Sequence, residues 1–115
     1  MSRVSPKAQP AIRRAQAALF AALGDETRLS LVARILGDEP RSISELTKGS
    51  RLSRQAITKH LRVLENVGIV RRERWGRESL YEFVPLAIEE AKQYLDLVSR
   101  QWDQSLARLK AFVEP

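Results

Sequence analysis

The sequence predicts a mainly α-helical domain with one small β-hairpin, and three observations lead to this prediction. Apolar residues recur at three- and four-residue steps over most of the chain, which is the spacing of a helix face. The stretch over about residues 69–84 is instead rich in Ile, Val, Tyr, Phe and Trp around a glycine, as hairpins are. The length of 115 residues suits one compact domain. We expect this domain over residues 12–115, preceded by a flexible arm over residues 1–11.

The composition excludes several classes of protein. The chain has 43% hydrophobic and 30% charged residues, so it should fold and be soluble. No apolar run approaches the roughly 18 residues of a membrane span, and we expect a cytoplasmic protein without a membrane partner. The chain has no Cys and a single His, His60. We therefore expect no disulfide, no metal site, no cofactor and no enzyme activity.

The first predicted helix lies between Pro10 and Gly24. Proline is common at the first helical position, and glycine is common just past the last one. One face of this helix would hold Ile12, Ala15, Leu19, Ala22 and Leu23. Arg13 and Arg14 before the apolar run Ala17–Leu23 also resemble an export signal, but that run is short. We expect an amphipathic helix that packs on a partner surface.

Two further helices are expected before residue 50. Asp25 is a good N-terminal cap for the first of them, and Gly37 follows its end. In this helix Leu29, Val32 and Leu36 recur at helical spacing. The second helix is short and is capped by Ser42 or Ser44. It holds Ile43, Leu46 and Thr47.

A helix-turn-helix is predicted over about residues 42–67. The short helix is followed by the tight connection Gly49–Leu52, and Ser53 then opens a longer helix that Gly68 ends. Two helices joined by a short turn that contains glycine form this motif. We expect Ser53 to be the N-terminal cap and not a nucleophile, because no base is placed to activate it.

The longer helix has two contrasting faces when its residues are set about 100° apart. The apolar face consists of Ile57, Leu61 and Leu64, with Ala56, Val63 and Val67 at its edges. The opposite face gathers Arg54, Gln55, Thr58, Lys59, Arg62, Glu65 and Asn66. Arg can bond guanine bidentately, Gln can do the same for adenine, and Thr and Lys serve bases or phosphates. This polar face is therefore expected to meet the major groove of DNA.

The hairpin predicted over about residues 69–84 follows the helix-turn-helix, where it would form a wing. Arg74 and Arg77 lie on either side of Gly76, so they should project from the tip. We expect these arginines to reach a minor groove or the flanking phosphates. Trp75 could stack on a base, but we expect it to pack at the root of the hairpin.

Positive charge is concentrated in the helix-turn-helix and the wing. The chain has a net charge of +6, and residues 51–78 hold eight basic and three acidic side chains, a net charge of +5. Contacts to phosphates need such a local basic surface. Double-stranded DNA is therefore the expected partner. The alternatives are a solvated basic face and an interaction module whose basic face binds an acidic protein.

Nine residues are expected to contact DNA. They are Ser53, Arg54, Gln55, Thr58, Lys59, His60, Arg62, Arg74 and Arg77. His60 falls in the apolar arc of the helix, between Ile57 and Val67, so we expect a structural role or a phosphate contact. Zinc would need three or four ligands, and the chain has no Cys and no second His to supply them.

The last predicted helix begins at Pro85 and covers about residues 86–113. Its apolar residues at three- and four-residue steps are Ile88, Ala91, Leu95, Val98, Trp102, Leu106, Leu109 and Val113. Roughly 28 residues at about 1.5 Å each make a rod about 40 Å long, which is longer than a domain of this size is wide. The end of this helix therefore requires another surface to cover it.

Two stretches of the chain carry a resemblance to a known family. One is Leu52–Val70, continued by Arg74–Glu78 and Tyr81, and the other is Ala22–Leu29. Together they resemble the ArsR/SmtB family of winged-helix repressors, in which a stretch ALxDxTRL similar to the second one precedes the second helix. The resemblance covers about residues 15–85.

The resemblance implies a homodimeric transcriptional repressor with a winged helix-turn-helix fold. It implies that the first and last helices form the dimer interface, and that two recognition helices enter successive major grooves of an imperfect inverted repeat. The interface residues expected on this basis are Ile12, Leu19, Leu23, Leu95, Val98, Trp102, Leu106 and Leu109.

The chain departs from the metal-sensing members of that family. Those members carry a Cys-containing motif on the third helix, where this chain has Ser42–Leu46. Another of their sites uses His and acidic ligands on the last helix, which here offers Asp96 and Asp103 but no His. We therefore expect a branch that does not respond to metals through thiolates, with a small-molecule effector as an open alternative.

Overall fold

The computed structural model describes residues 9–37 and 39–114 and confirms a mainly α-helical fold with one hairpin. Its helices are α1 (Gln9–Leu23), α2 (Glu26–Ile35), α3 (Ile43–Thr47), α4 (Arg54–Asn66) and α5 (Pro85–Val113). Its strands are β1 (Arg41–Ser42), β2 (Val70–Trp75) and β3 (Glu78–Phe83). Most of the arm expected over residues 1–11 lies outside the described residues. Within the described ranges, no helix is long and apolar enough to cross a membrane.

Side-chain caps begin α2 and α4, as predicted. A carboxylate oxygen of Asp25 accepts a hydrogen bond from the backbone N–H of Arg28 at 3.0 Å. The hydroxyl of Ser53 accepts one from the backbone N–H of Ala56 at 3.1 Å. Each cap pairs one of the N–H groups that the first turn of a helix leaves without a partner.

The hairpin predicted as a wing is present, and its turn contains two residues, Gly76 and Arg77. Gly76 has a φ angle of +62°, which a residue with a Cβ rarely adopts. A two-residue hairpin turn with glycine at its first position matches the right-handed twist of the two strands.

The sheet has a third strand that the sequence analysis missed. β1 pairs antiparallel with β3, giving the order β1-β3-β2. β1 contains only two residues, which is too short for an alternation of apolar and polar side chains to be recognised. Its second residue, Ser42, also caps α3, so Ser42 and not Ser44 is the cap. The Ser42 hydroxyl accepts from the Glu45 N–H at 3.1 Å, and the Glu45 carboxylate accepts from the Ser42 N–H at 3.3 Å.

The core lies where α4 packs against α2, α3 and the root of the wing. The side chains that are almost completely buried there are Ile35, Leu46, Ile57, Leu61, Leu64, Ile69 and Val70. The apolar face predicted for α4 is therefore confirmed.

The face predicted for α2 is wrong in part. Leu29 and Leu36 are 52% and 55% exposed, and the buried residues of this helix are Leu31, Val32 and Ile35. α2 has only ten residues and carries apolar side chains on two sides. Spacing alone does not distinguish these two sides, and packing against α1, α4 and β3 decides which of them is buried.

α5 has 29 residues, and only its beginning packs on the rest of the chain. Ala91 is buried, and the ring of Tyr94 lies 6.3 Å from the ring of Phe20 on α1. Beyond Tyr94, the large apolar residues that are at least half exposed are Leu95, Leu97, Trp102, Leu106, Leu109, Phe112 and Val113. The molecule is 66 Å long and 31 Å by 23 Å across, because α5 projects from it.

Candidate nucleic-acid interface

The polar face of α4 points outward because the opposite face is buried in the core. This face forms a shallow concave surface lined by Arg54, Gln55, Thr58, Lys59 and Arg62. All five were predicted to contact DNA, and the structure brings them together. None of their cationic groups is held in a salt bridge with another described residue. We call these five residues the α4 polar face.

Two of the hydroxyl groups near this face already have partners. The Ser53 hydroxyl caps α4, and the Thr58 hydroxyl donates to the carbonyl oxygen of Arg54 at 2.8 Å. Both oxygens can still accept a further hydrogen bond. The Thr58 hydroxyl has already used its hydrogen, whereas the Ser53 hydroxyl accepts in the cap and keeps its own O–H as a donor.

His60 does not lie with the α4 polar face. It is partly buried, and its Nδ1 atom lies 3.3 Å from a terminal nitrogen of Arg28 and 3.9 Å from a carboxylate oxygen of Asp25. Because a guanidinium only donates hydrogen bonds, the contact with Arg28 requires Nδ1 to be the acceptor. Of the two roles expected for His60, the structural one agrees with this position.

Arg28 connects three helices, a role that the charge and apolar patterns of the sequence did not indicate. Its Nε donates to the carbonyl oxygen of Ala22 at 2.6 Å, and a terminal nitrogen donates to that of Ala21 at 3.4 Å. These carbonyls belong to the last turn of α1, where cations are favourable. With its contact to His60, Arg28 joins α1, α2 and α4. The signal available in the sequence was its place in the stretch Ala22–Leu29.

The Asp25 carboxylate adds an electrostatic contribution to this junction. The hydrogen bond from the Arg28 N–H, with a smaller effect of the positive charge of Arg28, holds the pKa of Asp25 below its usual value. A lowered pKa in the folded state stabilises the fold above the unfolded pKa of about 3.9, and this stabilisation is lost as the pH falls through the lowered pKa.

We expect Asp25→Asn to make the stability of the protein less sensitive to acid. Asn also caps helices, so the substitution removes the charge and keeps an oxygen for the Arg28 N–H. Urea unfolding at pH 7 and pH 3 should show a smaller loss of stability on acidification for the variant than for the wild type. Asp103→Asn, on the exposed part of α5, is the matched control. Equal losses for Asp25→Asn and the wild type would contradict the role of the charge.

At the root of the wing, two arginines are paired with carboxylates. Arg72 faces α4, where its Nε lies 3.9 Å from a carboxylate oxygen of Glu65. Arg71 lies on the other face of the sheet and pairs with Glu82 directly across from it on β3. These two cations therefore have partners within the protein, unlike those of the α4 polar face.

At the tip of the wing, Arg74, Trp75 and Arg77 are all exposed. The position of the arginines agrees with the prediction that they project from the turn. The packing predicted for Trp75 is wrong, because its side chain is 64% exposed next to the turn. Only Val70, the first residue of β2, is buried, since a six-residue strand extends beyond the core. The structure places Trp75 far from the root.

The described residues hold no group of three or more His, Cys, Asp or Glu side chains that could bind a metal ion. Asp96 and Asp103 lie on the part of α5 that is exposed.

Comparison with known proteins gives matches over most of the chain. A family model described as a helix-turn-helix domain matches residues 23–73. The HTH-type transcriptional regulator Rv2034 of Mycobacterium tuberculosis is 32% identical over 85 residues, which are 74% of this chain and 76% of that protein.

Solved structures show the same fold. An ArsR-like transcriptional regulator from Rhodococcus sp. RHA1 is 34% identical, with a TM-score of 0.79 over 89% of this chain and 95% of that one. The homodimeric winged helix-turn-helix DNA-binding domain of Mb0332 from Mycobacterium bovis is 20% identical, with a TM-score of 0.64 over 94% and 95% of the two chains. At this lower identity the second likeness concerns the fold alone.

Proposed function

We infer that this chain, which belongs to the ArsR family of winged helix-turn-helix transcriptional regulators, represses transcription. We propose that it does so as a homodimer on an imperfect inverted repeat of DNA. The observation that carries this proposal is the α4 polar face, which is outward-facing, cationic and without salt-bridge partners among the described residues. It belongs to the segment of residues 51–78, which holds +5 of the net charge of +6.

The α4 polar face would supply the sequence-specific contacts. Arg54 and Gln55 lie in the first turn of α4, and N-terminal residues of a recognition helix are those that contact base edges. An Arg can bond guanine bidentately and a Gln adenine, and each such pair discriminates against the wrong base by about 1–3 kcal/mol. Lys59 and Arg62 lie further along the same face, where they would bind bases or phosphates.

The dimer would form through the exposed stripe of α5. The expected interface residues Leu95, Trp102, Leu106 and Leu109 are all more than half exposed, and Ile12 on α1 is 39% exposed. Exposed apolar patches of this kind mark interaction sites. Leu19, also expected in the interface, is only 4% exposed and packs in the core of the protomer, and Leu23 packs against that core. Val98 is partly buried within the stripe. We therefore place the main dimer contact on α5.

We also propose that regulation does not depend on metal–thiolate bonds, because the chain has no Cys. A small-molecule effector is compatible with this proposal. Addition of zinc should leave the affinity for DNA unchanged, as measured by gel shifts at increasing zinc concentration. A tenfold change on addition of zinc would instead indicate control by a metal through other ligands.

The proposal predicts a discrete, salt-sensitive complex with DNA from the region upstream of the chain's own gene. The affinity should fall with salt with a log–log slope of about −0.9 for each phosphate neutralised. A salt titration with the bound duplex and a scrambled duplex separates base contacts from phosphate contacts, because only base contacts depend on sequence. Equal affinity for both duplexes would contradict sequence-specific recognition. The absence of any complex would favour an acidic protein partner.

Arg54→Ala and Arg77→Ala should have different effects on this complex. We expect Arg54→Ala to weaken the specific complex by about 1–3 kcal/mol and to relax the preference at one base position. Arg77→Ala should weaken binding to all duplexes alike and reduce the salt slope by about 1. Competition gel shifts with single-base variants of the operator measure both effects. Lys92→Ala, an exposed cation outside the α4 polar face and the wing, is the control. If both variants changed the base preference and the salt slope in the same way, the separate roles of Arg54 in base contacts and Arg77 in phosphate contacts would be refuted.

A further inference from the structure

Trp75 is an exposed aromatic residue at the tip of the wing. Its side chain is 64% exposed, and every residue of β2 after Val70 is exposed. A Trp side chain gains much free energy when its large apolar surface is buried, and the core of the protomer does not bury this one.

The charged neighbours of Trp75 leave the tip of the wing without a net charge. Trp75 is paired across the hairpin with Glu78, and Arg74 is paired with Ser79. The two arginines of the tip, Arg74 and Arg77, are balanced by Glu73 and Glu78. The net charge of the tip is therefore zero, and the indole ring is its large apolar group.

The wing carries this ring away from α4. Its root is fixed beside α4 through Arg72 and Glu65, and the strand from Val70 to Trp75 spans about 16 Å at roughly 3.3 Å per residue. With the α4 polar face in a major groove, the tip lies beside that groove, where the minor groove presents deoxyribose and base edges. Apolar side chains bind at such places without reading the sequence.

We propose that Trp75 is a non-ionic DNA contact of the wing. The indole ring packs against deoxyribose and base edges of the minor groove next to the half-site that α4 occupies. Arg77 in the turn holds a phosphate of that groove, while Arg74 lies on the opposite face of β2 from Trp75, the face that Arg72 shares. This contact rests on the proposed function and adds affinity that depends little on sequence or salt.

The two Trp residues of the chain permit a matched fluorescence experiment. Trp75 and Trp102 are both 64% exposed, one on the wing and the other on α5. Trp102→Phe, used at a concentration at which sedimentation shows it to be dimeric, leaves Trp75 as the reporter, and Trp75→Phe leaves Trp102. Addition of duplex DNA should quench Trp75 and protect it from acrylamide, and should leave Trp102 unchanged. Dilution into monomers without DNA should affect Trp102 only.

Affinity measurements complete the test. Trp75→Ala should weaken binding to the specific and the scrambled duplex by about tenfold each, with an unchanged salt slope, whereas Trp75→Phe should keep most of the affinity. A reduced salt slope would overturn the non-ionic contact, as would wild-type affinity of Trp75→Ala. A Trp75 signal that responds to dimerisation and not to DNA would assign the residue to a second copy of the chain. If the wild type bound no duplex, the proposed function would fail together with this contact.

Discussion

Trp102→Asp combined with Leu106→Asp is expected to convert the protein to a monomer and to weaken its binding to an inverted repeat by about 100-fold or more. Both side chains are more than half exposed on the stripe of α5 that we propose as the dimer interface. A carboxylate on this surface would have to be desolvated to form the dimer, which is costly without a partner. A monomer also binds only one half-site, so it loses the gain from simultaneous binding of two linked sites.

Sedimentation measures the loss of the dimer, and gel shifts measure the weaker binding to DNA. The wild type should sediment at twice the chain mass at micromolar concentration, and the variant near 13.1 kDa. Leu97→Asp is the matched control, because Leu97 is 50% exposed and lies roughly 200° around the helix from Leu95 at about 100° per residue. The control should remain a dimer and bind DNA as the wild type does. A dimeric double variant would place the interface elsewhere.

Arg28→Met is expected to destabilise the fold by about 2–3 kcal/mol, because hydrogen bonds to charged groups contribute about 1.5–3 kcal/mol and their loss leaves acceptors unpaired. The guanidinium donates to Ala22 and Ala21 of α1 and contacts His60 of α4. Met fills a similar volume without donors. Lys should restore little of the stability, because its donors lie on one nitrogen, whereas Arg28 donates from Nε and from both terminal nitrogens.

Urea unfolding of the wild type, Arg28→Met, Arg28→Lys and His60→Ala tests this expectation. His60→Ala should cost less than Arg28→Met, because it removes one of the contacts of Arg28 and leaves those with α1. If Arg28→Met unfolded within about 0.5 kcal/mol of the wild type, the range typical of neutral surface substitutions, the connecting role of Arg28 would be refuted.

The sequence correctly predicts those elements whose residue pattern allows only one buried face. α4 has 13 residues with a single apolar face, so its buried side and the α4 polar face both follow from residue spacing. The wing follows from its β-branched and aromatic residues around Gly76. α2 differs because it is short and has apolar residues on two sides, so only packing against α1, α4 and β3 determines which side is buried.

The parts of the site that depend on contacts between distant residues were not predictable in this way. β1 exists because two residues meet β3 nearly forty positions later. His60 lies in the apolar arc of α4, and only the fold shows that Arg28 and Asp25 meet it there. Trp75 is typical of a buried residue by composition, and its exposure follows from how far β2 extends beyond the core.

Ser42 joins the sheet of the wing to the first helix of the helix-turn-helix without a spacer. It is the last residue of β1 and the cap of α3, which begins at the next residue. Since β1 pairs with β3, a tilt of the wing requires α3 to tilt with it. Because α3 also packs on α4, the fold restricts the separation between the wing and α4. In the proposed complex this separation would have to match the distance between neighbouring grooves. DNA whose local twist or groove width differs from this distance would be bound less well, even where every contacted base is correct.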